Sequence, residues 1–431
     1  MKPSLFEMKI ERVFFTVAIV LLFGCAPHSR AAENQNFSLK DGDTVVFYGD
    51  SITAQNLYNQ WVELYTVTRF PKMRVHFYGA GVGGDRVSGG VGGTIDDRLA
   101  RDLFSHMPSV VTVMLGMNDG SYRATTDEIQ SAYINGYEHL IQAIHEHAPG
   151  ARVTIIGPSP LDDVTRPYWF PGGYNLVMQN FAELDRSVAR KSNSLFVNFN
   201  PPVVALLQRA KAFDPQIGQL IIPDRVHPEL IAHWVMAETL LDAWNAPAEV
   251  SSVVLDARAV KIVEASNASV DALSVDHESW RWNETESSLP IPFEKDNATQ
   301  ALLLKFTDVQ DRLNQERLRI TGLEQGQYGL KIDEDEVGTF SAEQLDKGIN
   351  LSDFETPMHD QAQRVAWLIE DREKAHSVHI QMLIRKADVG CSQRSTDLMD
   401  SFENELEDAI YQAAVPKSHA YRLSRVSAPA R

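Results

Sequence analysis

Between Thr44 and Trp244 the chain alternates short β-rich runs with stretches of helical periodicity, and this alternation constrains the fold more than any other feature. Thr44–Tyr48, Val75–Tyr78, Val110–Leu115, Arg152–Ile156 and Leu195–Asn198 read as strands. Helical spacing of apolar residues marks Asn56–Phe70, Asp127–His147, Gly173–Ser192, Val203–Ala212 and a last stretch from about Pro228 to Trp244. Such alternation implies a parallel sheet covered by helices on both faces. The expected fold class is α/β: a three-layer α/β/α sandwich over residues 40–247, followed by a mixed α+β region over 248–431.

After Asn245-Ala246-Pro247 the texture changes. Ser251–Glu264 and Ser269–Trp282 are rich in Val, Ile and Trp and read as strands, as do Ala301–Phe306 and Leu318–Thr321. Two apolar runs around Gln325-Gly326 give Gly322–Thr339 the pattern of a hairpin. Ser341 is placed to cap a short helix over Ser341–Leu345, and Pro357 suits the start of a long helix from Thr356 to Lys386. A second helix, Thr396–Ala414, carries Met399, Phe402, Leu406 and Ile410 in the spacing of a core-facing stripe. The tail from Pro416 is basic and reads as loose. This half is expected to be an accessory domain without its own constellation of acid, base or metal ligands.

The 431 residues are 44% hydrophobic, enough for a full core without covalent staples. The formal net charge of -18 argues against a nucleic-acid partner, because phosphate binding needs clustered Lys and Arg. Lys2, Lys9 and Arg12 precede an apolar run, Val13–Phe23, that is short for a membrane span and suits a signal-peptide core. Leu22-Phe23-Gly24-Cys25 resembles a bacterial lipobox, which implies a lipid on Cys25; cleavage near Ser29-Arg30-Ala31 is the alternative. Residues 1–32 are expected to be one of these two signals, with Glu33–Leu39 a polar tether. Either route exports the protein to the periplasm or cell envelope, touching the membrane only through Cys25. Cys391 then lacks an intrachain partner, so the fold is not a disulfide scaffold.

Four short blocks carry the chemistry. In Val45-Val46-Phe47-Tyr48-Gly49-Asp50-Ser51-Ile52-Thr53, Ser51 falls on a tight turn between a strand and a helix, where open α/β sheets bind ligands. Gly79-Ala80-Gly81-Val82-Gly83-Gly84-Asp85-Arg86 follows the next strand and lets backbone approach a ligand closely. It matches neither phosphate-loop pattern, which argues against a nucleotide site. Leu115-Gly116-Met117-Asn118-Asp119 places an amide at a third strand end, where it can donate to an oxyanion or simply form a turn. In Ile222-Pro223-Asp224-Arg225-Val226-His227-Pro228 an Asp three residues before a His can hold the imidazole's tautomer, leaving its other nitrogen for a serine proton.

Together the blocks resemble the SGNH family, also called GDSL esterases and lipases, over roughly Thr44–Trp244. The resemblance rests on Gly49-Asp50-Ser51, the glycine of Gly83-Gly84-Asp85, Gly116-Met117-Asn118-Asp119 and Asp224-Arg225-Val226-His227, in family order. It implies a flavodoxin-like sandwich with Ser51 as nucleophile, His227 as general base and Asp224 orienting it. The implied oxyanion hole is the backbone N–H groups of Ser51 and Gly84 with the Asn118 side chain, Gly81 and Gly83 being neighbouring alternatives to Gly84. The family's Gly-Asp-Ser-Leu reads Gly-Asp-Ser-Ile here, and Arg86 stands where many members carry a small hydroxyl residue, which bears on substrate preference. The Gly-x-Ser-x-Gly elbow of α/β-hydrolases is absent; Gly157-Pro158-Ser159-Pro160-Leu161 lacks its final glycine.

Other clusters read as structural. His139, His145 and His147 lie with Glu138 and Glu146 on a solvated helix face without the His-Glu-x-x-His order, and Asp96-Asp97 and Asp162-Asp163 read as loop carboxylates facing water. Tyr168, Trp169 and Phe170, in a loop over Pro158–Gly173, either shape the substrate pocket or pack among themselves. The expected function is ester hydrolysis through an acyl-enzyme, without metal or organic cofactor. A short-chain O-acetyl ester on a carbohydrate is the first expected substrate. A lipid or lysophospholipid is the alternative, and a non-catalytic surface-binding protein on the same scaffold is the rival from another class.

Overall fold

The computed structural model describes residues 37–384 and 392–426. The expected signal segment with Cys25, and Cys391, lie outside the described residues.

Strands β1 (Thr44–Gly49), β2 (His76–Gly81), β3 (Val110–Met114), β4 (Arg152–Gly157) and β5 (Leu195–Asn198) form one sheet in the order β2-β1-β3-β4-β5. Every pairing is parallel. All five residues of β3 are buried, so helices cover both faces, and the unbroken apolar run follows from that. Helix Leu57–Arg69 packs on Leu230–Ala243, and Asp127–His147 packs on Gly173–Ser192. The sheet order makes β1 the neighbour of both β2 and β3. Gly49 sits level with Gly81 on one side and Met114 on the other, so three chain segments leave the sheet together at its C-terminal end.

Beyond residue 247 two further sheets face each other. One contains Ile349–Asn350, Gln315–Thr321, Glu249–Asp256 and Lys261–Ser266; the other contains Ala268–Asp276, Ser279–Glu286, Ser418–Arg425, Gln327–Ile332 and Asp335–Ser341. Val253, Leu255, Leu318 and Ile320 from the first meet Trp282, Leu330, Ile332, Tyr421 and Leu423 from the second in a separate core. Two long helices, Pro357–Ile384 and Gln393–Ala414, pair as a hairpin. They return to the parallel-sheet unit, where Val365, Ile369, Ile410, Tyr411 and Ala414 join its core.

The two parts are pinned by Arg69. Its buried guanidinium donates to the carbonyls of Pro247, Glu249 and Leu313 at 3.1, 2.6 and 2.8 Å, and its own carbonyl accepts from Ser288. A guanidinium with five N–H donors satisfies three carbonyls at once, more than the two N–H groups of a side-chain amide can.

Five local expectations are corrected. Ala301–Phe306 is the end of a helix, Ala298–Phe306: Asn297 accepts from the Thr299 and Gln300 N–H groups, and a run of leucines unbranched at Cβ continues the helix, burying Leu303 and Phe306. The hairpin turns at Asp333-Glu334, not Gln325-Gly326; Gln315–Thr321 and Gln327–Ile332 belong to different sheets, and the segment between them is a crossing. The tail is a strand, Ser418–Arg425, paired on both sides, with His419, Tyr421 and Leu423 buried in strict alternation. Phe37 and Leu39 of the expected polar tether are buried. On Gln393–Ala414 the inward face is Glu403, Glu407, Ile410, Tyr411 and Ala414, while Phe402 is 49% exposed. Cationic and imidazole donors opposite, from Arg74, His76, His376 and His379, select carboxylates for that face.

The cap at Ser341 is a full capping box with Gln344, and Pro357 opens its helix. Among the described residues no helix is long and apolar enough to cross a membrane.

Candidate active site

Ser51 follows β1 directly. Gly49 is required there because a Cβ would collide with the Thr53 side chain and the Met114 carbonyl of β3. Asp50 caps the short helix Ser51–Ala54, its carboxylate accepting from the Ile52 N–H at 2.9 Å. Burial pushes the Asp50 carboxyl up to about 7, against that hydrogen bond.

His227 reaches Ser51 from the turn after Ile222, its Nε2 2.8 Å from Ser51 Oγ. Its Nδ1 lies 2.6 Å from Asp224 Oδ2. The other carboxylate oxygen of Asp224 accepts from the N–H groups of Val226 and His227 at 2.9 and 2.8 Å. Arg225 takes φ +74°, bending the chain so that the Asp three residues back meets the ring. Burial raises the Asp224 carboxyl, but the hydrogen bonds from the His227 ring and these two N–H groups outweigh it and hold it below the ordinary value. An ionised carboxylate only accepts, so Nδ1 carries the proton and Nε2 offers its lone pair to Ser51.

The second block forms a turn after β2. Val82 N–H bonds the Gly49 carbonyl at 3.1 Å, Asp85 N–H bonds the Val82 carbonyl at 3.3 Å, and Gly84 between them has φ +76°. Only glycine takes that angle without strain. Gly81 does a different job: a Cβ there would strike the Ala54 backbone, whereas Gly83 and Gly84 face open space.

Asn118 follows β3. Its amide donates to the Asp85 carbonyl at 3.0 Å, and Tyr122 O–H donates to its oxygen at 3.2 Å. Both contacts fix the amide's orientation and leave one N–H for a further acceptor. The structure thus brings Ser51, Gly84 and Asn118 to three adjacent strand ends and puts His227, backed by Asp224, against Ser51.

Sequence reasoning missed the supports under these residues. Arg98 is fully buried, where it pairs with Asp85, bonds Asp102 at 3.0 Å and stacks 4.4 Å from the Tyr48 ring centroid. In the sequence Arg98 and Asp102 look like an ordinary exposed i,i+4 pair. Asp119 accepts from Val87 N–H at 3.0 Å and ties the second block to the third; burial pushes its carboxyl up to about 7.

The aromatic loop is tied to this site. Arg225 donates to the Pro167 carbonyl at 3.2 Å, Arg166 to the Pro223 carbonyl at 2.7 Å, and Tyr168 O–H to the Tyr122 carbonyl at 3.1 Å. Trp169, edge-on to Phe170 at 4.8 Å, is left 74% exposed. The expectation for Asp162 is corrected: it is buried and binds Thr165 and Arg166, because the loop folds over it. His139 pairs with Asp96 on the exposed face, and Asp97 serves in a capping box with Thr94.

The model of the GDSL-like Lipase/Acylhydrolase family matches residues 47–234. An acetylxylan esterase from Geobacillus stearothermophilus is 22% identical over 226 residues, covering 46% of this chain and 93% of the esterase. Among solved structures, a gut microbial diltiazem-metabolizing enzyme is similar over 90% of this chain and 98% of its own, at TM-score 0.80 and 26% identity. A structure of an acetylxylan esterase from Geobacillus stearothermophilus matches 49% of this chain and 97% of its own, at TM-score 0.39 and 20% identity. With the four blocks assembled at the C-terminal end of one sheet, residues 47–234 form a GDSL-like lipase/acylhydrolase (SGNH) domain, and the chain is a carboxylic ester hydrolase.

Proposed function

We propose that the protein is an exported serine esterase that removes short acyl groups, O-acetyl first, from carbohydrate. The observation that carries the chemistry is the His227 ring, bridging Ser51 Oγ at 2.8 Å and Asp224 Oδ2 at 2.6 Å. In this reading Ser51 gives its proton to His227 Nε2 while Oγ attacks the ester carbonyl. The oxyanion is taken up by the Ser51 and Gly84 N–H groups and the free Asn118 N–H. Collapse expels the alcohol, protonated by His227, and leaves Ser51 acylated. Water, deprotonated by His227, then attacks the acyl carbonyl, and its collapse returns the free acid and Ser51. Asp224 stabilises the imidazolium at both stages.

The acetylxylan esterase among the relatives supports the acyl and sugar assignment. So does Trp169: an exposed indole on a loop bonded to the Asp224–His227 turn offers a flat face for a sugar ring. The charge–apolar–small order of residues 1–32 supports export.

Purified wild type and S51A assayed on nitrophenyl acetate, a nitrophenyl ester of a long acid, and acetylated xylan test the reading. Hydrolysis of both acetates by wild type alone is expected. Equal activity of S51A would overturn the mechanism, and a preference for the long chain would move the substrate to lipid.

A further inference from the structure

The helical hairpin carries a cluster that ester hydrolysis does not use. His376 and His379 stand three residues apart on one face of Pro357–Ile384, and Asp400 and Glu403 stand three residues apart on Gln393–Ala414 opposite. Glu403 Oε2 lies 2.8 Å from His376 Nδ1, and Glu403 Oε1 lies 2.7 Å from His379 Nδ1. Donor atoms of His376, His379 and Glu403 all fall within 4.8 Å of one another, and Asp400 Oδ1 is 3.8 Å from His379 Nδ1. These residues line a cavity of about 210 Å³ beside β2, with the His106 ring at its wall. The donors therefore have room around them.

We propose that His376, His379, Glu403 and Asp400 bind one divalent transition-metal ion, zinc above all, which clamps the two helices to each other and to β2. Two imidazoles and two carboxylates are a borderline donor set that suits zinc and excludes ions requiring all-oxygen shells. A tetrahedral zinc with bonds near 2.0–2.1 Å spaces its donors about 3.3 Å apart. The 2.7 and 2.8 Å contacts around Glu403 need to open by only about half an ångström. The ion would replace the Nδ1 protons that the two imidazoles now share with the carboxylate, releasing them to solvent.

The second ring nitrogens also accommodate a metal on Nδ1. His376 Nε2 faces the Gly79 carbonyl of β2 at 3.2 Å. With a metal on Nδ1 the neutral ring carries its proton on Nε2 and donates it to that carbonyl, the usual outer contact of a metal-bound histidine. Without a metal, burial lowers His376 but its hydrogen bond to Glu403 outweighs that and raises the ring, whose imidazolium form donates to Glu403 and to that carbonyl at once. His379 is buried, and its Nε2 has no hydrogen-bond partner among the described residues, so this ring is not placed to serve a protein network on both sides. Asp400, more than half exposed, is free to swing in as the fourth donor. The spacing hid the site from sequence reading, because its two halves lie on different helices.

The test uses the full chain without a histidine tag, stripped with a chelator and dialysed. Titration with zinc chloride by calorimetry, metal analysis after gel filtration, and cobalt(II) absorption are the readouts. One zinc per chain is expected, with a higher melting temperature and the visible bands of low-symmetry cobalt(II). H379A should abolish these signals. D400N, which leaves the buried contacts in place, should weaken binding by at least about 10- to 100-fold with the melting temperature of the stripped protein unchanged. Absence of saturable zinc binding in folded wild type, or equal binding by wild type, H379A and D400N, would overturn the site. Magnesium in place of zinc should give no shift; a magnesium shift equal to that of zinc would overturn the transition-metal assignment.

Discussion

In the turn after Ile222, His227 Nδ1 lies 2.6 Å from Asp224; between the long helices, His376 and His379 lie 2.8 and 2.7 Å from Glu403. The contacts are nearly the same, and the surroundings are opposite. The Asp224–His227 turn is half open to solvent, whereas His376, His379 and Glu403 are almost wholly covered. The decisive difference is on the far ring nitrogen. At His227 it meets the Ser51 hydroxyl; at His376 it meets a backbone carbonyl; at His379 it has no partner among the described residues. A carboxylate sits against Nδ1 in each place, and what stands on the other ring nitrogen is what sets the three histidines apart.

The largest expected effect separates the two sites. H227A should lower kcat/KM on nitrophenyl acetate by about 10⁴-fold or more, and S51A with H227A should be little worse than either alone, because the residues act as a unit. E403Q, in contrast, should leave ester hydrolysis by the folded protein intact while lowering its urea midpoint, since two buried imidazoles lose a charged acceptor at a cost of about 1–3 kcal/mol. A comparable loss of kcat in E403Q, measured where the protein is folded by circular dichroism, would erase the distinction. Next comes N118A, expected to cost about 10²- to 10³-fold in kcat with KM little changed. A loss confined to KM would make Asn118 a binding residue instead.

These contrasts also show what could be read ahead. The four blocks of the candidate site were legible because each is local: Ser51, Gly84 and Asn118 follow their strands by a few residues, and Asp224 and His227 share one turn. Sheet order then brings them together. The supports were not legible, because Arg98 reaches Asp85 across 13 residues and His376 reaches Glu403 across 27. Composition misled where a partner reversed the usual preference. Ser418–Arg425 looked basic and loose, yet pairing on both sides makes it a central strand with Arg422 on its outer face.

A third group of carboxylates has no imidazole at all. Glu284, Glu286 and Glu316 are buried together in the sandwich; burial pushes Glu284 up to about 8 and Glu316 up to about 7, and Glu286 well above its usual range. Here the proton replaces the missing base. Because the folded values lie above the unfolded ones, the stabilisation is complete below about pH 4.5 and is lost as pH rises through about 7 to 8. Urea unfolding at about pH 5 and about pH 8.5 should show wild type weaker at the higher pH by the order of 1–3 kcal/mol, and E316Q should lessen that fall. A wild type more stable at the higher pH would mean that these carboxyls stay charged.

The smallest effect bears on which face of Gln393–Ala414 looks inward. Apolar spacing favours Phe402 and Leu406, but the neighbouring surface of the protein is rich in donors. Arg74 bonds Glu407 at 3.1 Å, His76 bonds it at 3.0 Å, and Glu403 receives both histidines of the hairpin. Turning the helix to bury Phe402 would strand those donors without acceptors, at about 1–3 kcal/mol for each buried one, more than one phenyl ring returns. The helix therefore keeps its carboxylates inside and leaves Phe402 49% exposed. F402A should change stability by no more than about 0.5 kcal/mol. I410A, on the buried face, should cost about 2–5 kcal/mol. If F402A proved as costly as I410A in urea unfolding, the helix would be turned the other way. Glu403 would then be lost to the histidines, and the enclosed half of the comparison would have no carboxylate.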